Sequence, residues 1–310
     1  MRKILLLIAV VCALNASAQT EIDGIMMEKN VFCVGPMYGY SSWKNYWEGT
    51  LKRDNENLGT VSTSMFSVMG NYGVTRNLNL LFGLPYVKTK ASAGQLKGLK
   101  GIQDFSFWIK WKAYSKKFGN GRLSLFAIGG YSMPASSYTA DFLPMSIGLE
   151  SKNLFIRGMA DFQLDRWFAT FSGAYVRRSN IKLDRDAYYT TEMHYTNEVK
   201  MPDALSFNFR AGYRDKGAFA EVVADNWTTL DGFDITRNNM PFPSNKMNAT
   251  RIGLSFKYPM PFHPALSVVG NGFVTVAGRN MGQATSFAGG FFYVFDFSGK
   301  QKKETNKSKK

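Results

Sequence analysis

Cysteine is nearly missing: the 310 residues contain two, Cys12 and Cys33. Cys12 falls in an N-terminal run that reads as a removable leader. Cys33 then stands alone, which excludes an intrachain disulfide and a cysteine-based metal cluster. Histidine is as scarce. His194 and His263 are far apart and at no ligand spacing, so no metal site is expected and no cofactor is implied. No stretch approaches the roughly 18 consecutive apolar residues of a membrane helix, which excludes a helical membrane protein. A domain linker is also lacking, so the body of the chain reads as one unit.

The N-terminus, MRKILLLIAVVCALNASAQ, has basic Arg2 and Lys3, an apolar run from Ile4 to Leu14 and an Ala16-Ser17-Ala18 cleavage pattern. Residues 1–18 are therefore expected to be a secretory signal peptide. Val11 precedes Cys12 where lipoprotein signals carry a small residue, so no lipid anchor is expected. The formal net charge of +15 falls to +13 without Arg2 and Lys3. Six lysines against Glu304 in SGKQKKETNKSKK make residues 298–310 a basic tail too polar to bury a core. Export argues against nucleic acid as the partner of this charge and for anionic lipid headgroups or surface phosphates.

What is present is alternation. In DFSFWIKWKAY, Asp104 to Tyr114, one set is Phe105, Phe107, Ile109, Trp111 and Ala113; the other is Asp104, Ser106, Trp108, Lys110, Lys112 and Tyr114. A period of two sends these sets to opposite faces of a strand. The same theme recurs from 30 to 297, giving about twelve strands, near 30–47, 58–74, 78–90, 103–114, 122–134, 149–163, 166–178, 204–213, 218–230, 248–258, 265–279 and 285–297. Nothing helical separates them.

The links alternate in length. VTRNL, SKKFGNG, QLDR, RDKG and PMPFHP are short and rich in Gly, Pro, Asn and Asp, as hairpin turns should be. Longer segments lie near 48–57, 91–102, 135–148, 179–203 and 231–247, with 280–284 the exception. This asymmetry predicts an all-β, antiparallel up-and-down transmembrane barrel of the bacterial outer membrane, with both termini periplasmic. Outward sets such as Leu78, Leu80, Phe82, Leu84 and Tyr86 carry no charge, so lipid would accept them. Tyr40, Tyr86, Tyr131 and Tyr175 fall near one end of their strands, and Tyr72, Trp111, Trp167, Tyr213 and Tyr258 near the other, as two interface girdles would. Membrane lipid and lipopolysaccharide are the expected surroundings.

The opposite phase lines a lumen. Its charged members are Asp104, Lys110, Lys112, Arg157, Asp161 and Arg166, followed by Arg210, Glu221, Asp225, Arg251, Lys257 and Asp296. They either brace the interior as pairs or line a path that selects solutes by charge. Met65, Met69, Phe126, Met159, Phe168 and Phe219 make the lumen more apolar than a water-filled sieve needs. Residues 19–29 are placed to fold inward as a small plug, leaving 30–297 as the barrel. The expected function is passage of small hydrophobic or amphipathic solutes.

The last strand, SFAGGFFYVFDF, resembles the aromatic-ended strand by which outer-membrane barrels are recognised by their insertion machinery, although here a basic tail follows it. NLNLLFGLPYV at 77–87, GIQDFSFWIKWKAY at 101–114 and LPMSIGLES at 143–151 resemble the outer-membrane transporters labelled "MetA pathway of phenol degradation". That resemblance implies uptake of hydrophobic or aromatic compounds and carries no catalytic residue. It makes Asp104 the best candidate for a shared structural or lumen role.

Two other classes fit part of the chain. An adhesin or structural membrane protein would use the loops 179–203 and 231–247, with Tyr188, Tyr189, Tyr195, Phe233 and Phe242. An outer-membrane phospholipase-like esterase would need a serine two positions after its histidine; His194-Tyr195-Thr196-Asn197 puts threonine there. His263, in PMPFHP, reads as a turn residue.

Overall fold

The computed structural model describes residues 20–236 and 240–298. The expected leader and the basic tail from 299 onward lie outside them. Twelve long antiparallel strands form the body: β1 (Val31–Trp43), β2 (Val61–Gly73), β3 (Leu78–Ala91), β4 (Asp104–Phe118), β5 (Gly121–Pro134) and β6 (Asn153–Leu164). β7 (Trp167–Arg178), β8 (Ala204–Asp215), β9 (Ala218–Thr229), β10 (Asn248–Met260), β11 (His263–Arg279) and β12 (Thr285–Asp296) complete it. Each pairs with its neighbours in sequence. β12 then closes on β1, from Val31 opposite Asp296 to Ser42 opposite Thr285. Closure leaves no long strand of the described residues with an unpaired edge, which hydrocarbon would not tolerate.

Turn chemistry explains the tight end. Four links are two residues long, and Lys216-Gly217 has both residues at positive φ, 46° and 82°. That is the type I′ geometry that matches strand twist. Gly119, at φ 56°, serves the same purpose between β4 and β5. Because Ser115 to Phe118 continue β4, the SKKFGNG link contracts to Gly119 and Asn120. His263 likewise belongs to β11, opposite Met260, and not to the turn.

The opposite end is elaborated. The expected 30–47 strand breaks after Trp43, and Asn45–Glu48 pairs with Leu51–Asp54 as a separate hairpin. This hairpin hydrogen-bonds to the short 280–284 link through Trp47 N to Met281 O at 2.9 Å and Gln283 N to Asn45 O at 2.7 Å. Asn280 pins three segments, accepting from Gly49 N and Ile235 N and donating to Asp234 and Lys246 O. Two hydrogen bonds from Arg279, with help from Asn280, hold the Asp234 carboxyl below its usual range. Ile181, Leu183, Tyr188, Val199 and Met201 make a small core of their own with Ala140, on which Phe242 packs.

One bulge corrects the alternation in β4. The pairing with β5 slips between Lys112 and Tyr114, leaving Ala113 as the extra residue. A bulge reverses face parity beyond it. Tyr114 therefore joins the outer face, 47% exposed, instead of following Lys112 inward.

Candidate functional site

The inner wall is built by the alternate residues whose side chains are buried while their neighbours are exposed. On β4 Lys110 is 0% exposed, between Ile109 at 45% and Trp111 at 51%. The outer face carries the residues assigned to girdles. Trp111, Trp167, Tyr258, Tyr86, Tyr131, Tyr175 and Tyr213 are exposed. Tyr40 stacks on Phe287 and Tyr72 meets Phe32 edge-on, both along the same outer surface.

Lys110 is fully satisfied inside the lumen. Its Nζ donates to Asp23 Oδ1 at 3.0 Å and to the carbonyls of Thr20, Asp23 and Ile25 at 2.9, 2.6 and 2.8 Å. Four acceptors surround an ammonium with three protons. Asp23 is 4% exposed. Burial pushes its carboxyl up, but Lys110 and the backbone N–H groups of Thr20 and Ile25 outweigh this and hold it below the ordinary 3.8.

Residues 20–28 lie among inward side chains from opposite parts of the wall. Met26 packs on Phe126, Ile128 and Met159, with Trp108 beside them. Met27 packs with Cys33 and Phe292, bordered by Met69. The fit at Gly24 is close enough that a Cβ there would fall 2.0 Å from Asp161 Oδ1. From the other end, residues 135–152 reach inward. Thr89 Oγ1, on the inner face of β3, donates to Met145 O at 2.6 Å, and Met145 is fully buried.

The remaining predicted lumen charges separate into groups. Arg210 pairs with Glu221, both buried, and also donates to Asn208 at 2.9 Å. Arg157 donates to Ser172 at 2.8 Å, while Asp161 accepts from Thr170 at 2.6 Å and has Arg214 3.6 Å away. Lys257 is 1% exposed and lies opposite Phe219 and Val269. Asp225 and Arg251 form a bidentate pair, with both distances 2.9 Å, in a more open part of the wall. Lys112 and Met65 are half-buried on the inner face. Phe168 is buried beneath the Arg214 guanidinium, 4.0 Å from its ring.

Three predicted positions sit at the rims. Asp104 accepts from Tyr138 Oη at 2.6 Å and so holds the 135–152 segment. Asp296 ends β12 and accepts from Ser298 N. Arg166 lies in the Asp165-Arg166 turn, exposed, with Tyr213 Oη at 3.0 Å and Asp215 at 3.6 Å. It is not in the wall, because two-residue turns project their side chains beyond the ladder.

Sequence reading missed Asp23, Met26 and Arg178 as lumen groups. The available signal was an imbalance of charge, since the wall candidates were mostly basic and the segment ahead of β1 carries Glu21, Asp23 and Glu28. His194 does not address Thr196. Its Nε2 lies 2.8 Å from Thr190 Oγ1 and its ring stacks on Tyr188, while Thr196 Oγ1 accepts from Glu198 N.

No protein-family model and no curated protein matches the sequence, so the resemblance to the phenol-degradation transporters stays without a family match. Among solved structures, the COG4313 outer membrane channel from Pseudomonas putida F1 is similar with TM-score 0.70 and 14% identity, over 92% of this chain and 100% of that chain. The translocator domain of the autotransporter NalP from Neisseria meningitidis gives a TM-score of 0.46 at 10% identity, over 88% and 91% of the two chains. The first of these likenesses agrees with the closed twelve-strand sheet: the fold is that of Gram-negative outer-membrane β-barrels.

Proposed function

We propose that the chain passes small hydrophobic or amphipathic solutes across the outer membrane, with residues 20–28 as a displaceable plug. The observation that carries this reading is how the lumen is filled. A barrel meant only as a wall can close its interior with its own inward side chains. Here a separate stretch of chain lies in the space, with Asp23 on Lys110 and with Met26 and Met27 in apolar contact with the wall. Such a segment can move without breaking a strand pair. The likeness to an outer membrane channel supports the same reading.

In this reading the exposed aromatics at the two ends sit at the membrane interfaces, lipid and lipopolysaccharide surround the outer face, and the insertion machinery engages β12. Both chain ends then lie at the short-turn, periplasmic side. The apolar patch of Phe126, Ile128 and Met159 accommodates the solute's apolar part.

Planar-bilayer recording of the purified full chain tests this. Discrete conductance steps are expected, occurring more often in Gly24→Leu, whose side chain cannot fit beside Asp161. A barrel that stays silent in both forms would overturn solute passage and favour a structural or adhesive role.

A further inference from the structure

We infer that the inner wall at Lys110 and Arg157 is a binding site for the carboxylate of an amphipathic organic acid, and that Asp23 holds the place of that carboxylate in the closed barrel. This rests on the solute-passing reading and names the chemical class of the solute.

Charge is the first argument. Among the described residues the wall buries five inward cations, Lys110, Arg157, Arg178, Arg210 and Lys257, against two acids, Asp161 and Glu221. Arg210 and Glu221 satisfy each other. Asp23 supplies a further buried acid, and it comes from the segment and not from the wall. Glu21 is a second acid on the same segment. When the segment moves aside, both acids leave with it and the wall is left with a surplus of positive charge. Such a surface favours an anion, because opposite charges attract across the few ångströms of a narrow lumen.

The second argument is the apolar surface beside the cations. Lys110 is paired across the ladder with Ile128, and Ile128 with Arg157, so one apolar residue separates the two cations along a single row. Two strand spacings set their backbones roughly 10 Å apart. Phe126 lies next to this row, with its ring 5.6 Å from Lys110 Nζ, and Met159 joins it. An inorganic anion would use the cations and leave this surface bare. A carboxylate attached to a ring or short alkyl chain would use both.

The plug itself displays that chemistry. Asp23 presents a carboxylate to Lys110 while Met26, three residues on, lays an unbranched apolar side chain on Phe126, Ile128 and Met159. Head and body of the inferred solute are thus both represented by the segment it displaces. Binding of the acid and withdrawal of residues 20–28 are then one exchange, and no bond is made or broken beyond hydrogen bonds and ion pairs.

The test is equilibrium titration of the full chain in detergent with benzoate and with benzyl alcohol, which share a ring and differ in charge. Benzoate is expected to bind at least about tenfold more tightly to Asp23→Asn, where the competing charge is gone, and at least about tenfold more weakly to Lys110→Met. Benzyl alcohol, which only gains from loosening of residues 20–28, should bind both variants at least as tightly as the wild type, so the two substitutions have opposite effects on benzoate alone. Should Lys110→Met fail to form a barrel, Arg157→Met takes its place with the same expected direction. Equal binding of the two compounds, or benzoate binding indifferent to Asp23→Asn, overturns the carboxylate site. A barrel silent in bilayers that still shows this charge-dependent binding removes solute passage and keeps the site, and a conducting barrel without it does the reverse.

Discussion

At the scale of single residues, the Lys110–Asp23 pair decides whether residues 20–28 stay in the lumen. Removing one member of a buried ion pair leaves an uncompensated charge, at a cost of about 3–5 kcal/mol. Lys110 is fixed in a strand, but Asp23 belongs to a segment that can carry its charge to water. Lys110→Met should therefore release the segment without unfolding the barrel, read as faster amide exchange at residues 20–28 with exchange in the strands unchanged. Lys110→Met with Asp23→Asn should recover part of the protection. Recovery stays incomplete, because the carbonyls of Thr20, Asp23 and Ile25 still lack the donor they share. The pH dependence has a definite sign. The Asp23 carboxyl titrates below 3.8 when folded. Its stabilising contribution is complete above that ordinary value and is lost as pH falls through the lower, folded one. Acid should thus lower the protection factors at 20–28, taken relative to intrinsic exchange at each pH, and lower them less in the doubly substituted chain.

At the scale of elements, the bulge in β4 separates two kinds of deletion. Alternation makes every residue after a deletion swap faces, unless the residue removed was itself the extra one. Without Ala113, Lys112 remains inward and Tyr114 outward on a regular strand, so the barrel should fold in normal yield. Deleting Ile109 moves Lys110 to the lipid side, where a cation costs about 2–4 kcal/mol at the midplane. That variant should lose the heat-modifiable gel mobility that folded barrels show. The same bulge marks where periodicity stopped being readable. Period-two alternation identified every long strand, and the Gly and Asp turn residues at 119, 165 and 217 identified the tight links. No local signal distinguished Ala113 as unpaired, because its fate depends on the length of β5 opposite. The Asn45–Glu48 hairpin was hidden for a similar reason. Its residues continue the β1 pattern, and what turns them aside is bonding to residues 280–284, over two hundred positions away. The lumen was legible in its wall and not in its contents, since the wall follows parity whereas the positions of Asp23 and Met26 depend on how a short irregular segment meets several strands.

At the scale of the whole molecule, the barrel separates two environments by a wall one residue thick, so neighbouring tryptophans should report different surroundings. Trp108 faces inward beside Met26 and Phe126, whereas Trp111, three residues further on, faces outward and is 51% exposed. An odd separation along a strand places two side chains on opposite faces. Trp167 shares the outer surface, stacked edge-on with Tyr213 at 5.5 Å next to a two-residue turn. Variants retaining one tryptophan, reconstituted in brominated lipids, should show Trp111 and Trp167 quenched, and most strongly by bromine placed high on the acyl chain, as expected of side chains in an interface belt. Trp108 should resist lipid quenching at every depth. It should instead become open to iodide in Lys110→Met, since departure of residues 20–28 admits water to the lumen. Quenching of Trp108 by lipid bromine would place the inner face outside, and with it every assignment of lumen charge, because parity ties all twelve strands to one choice of side.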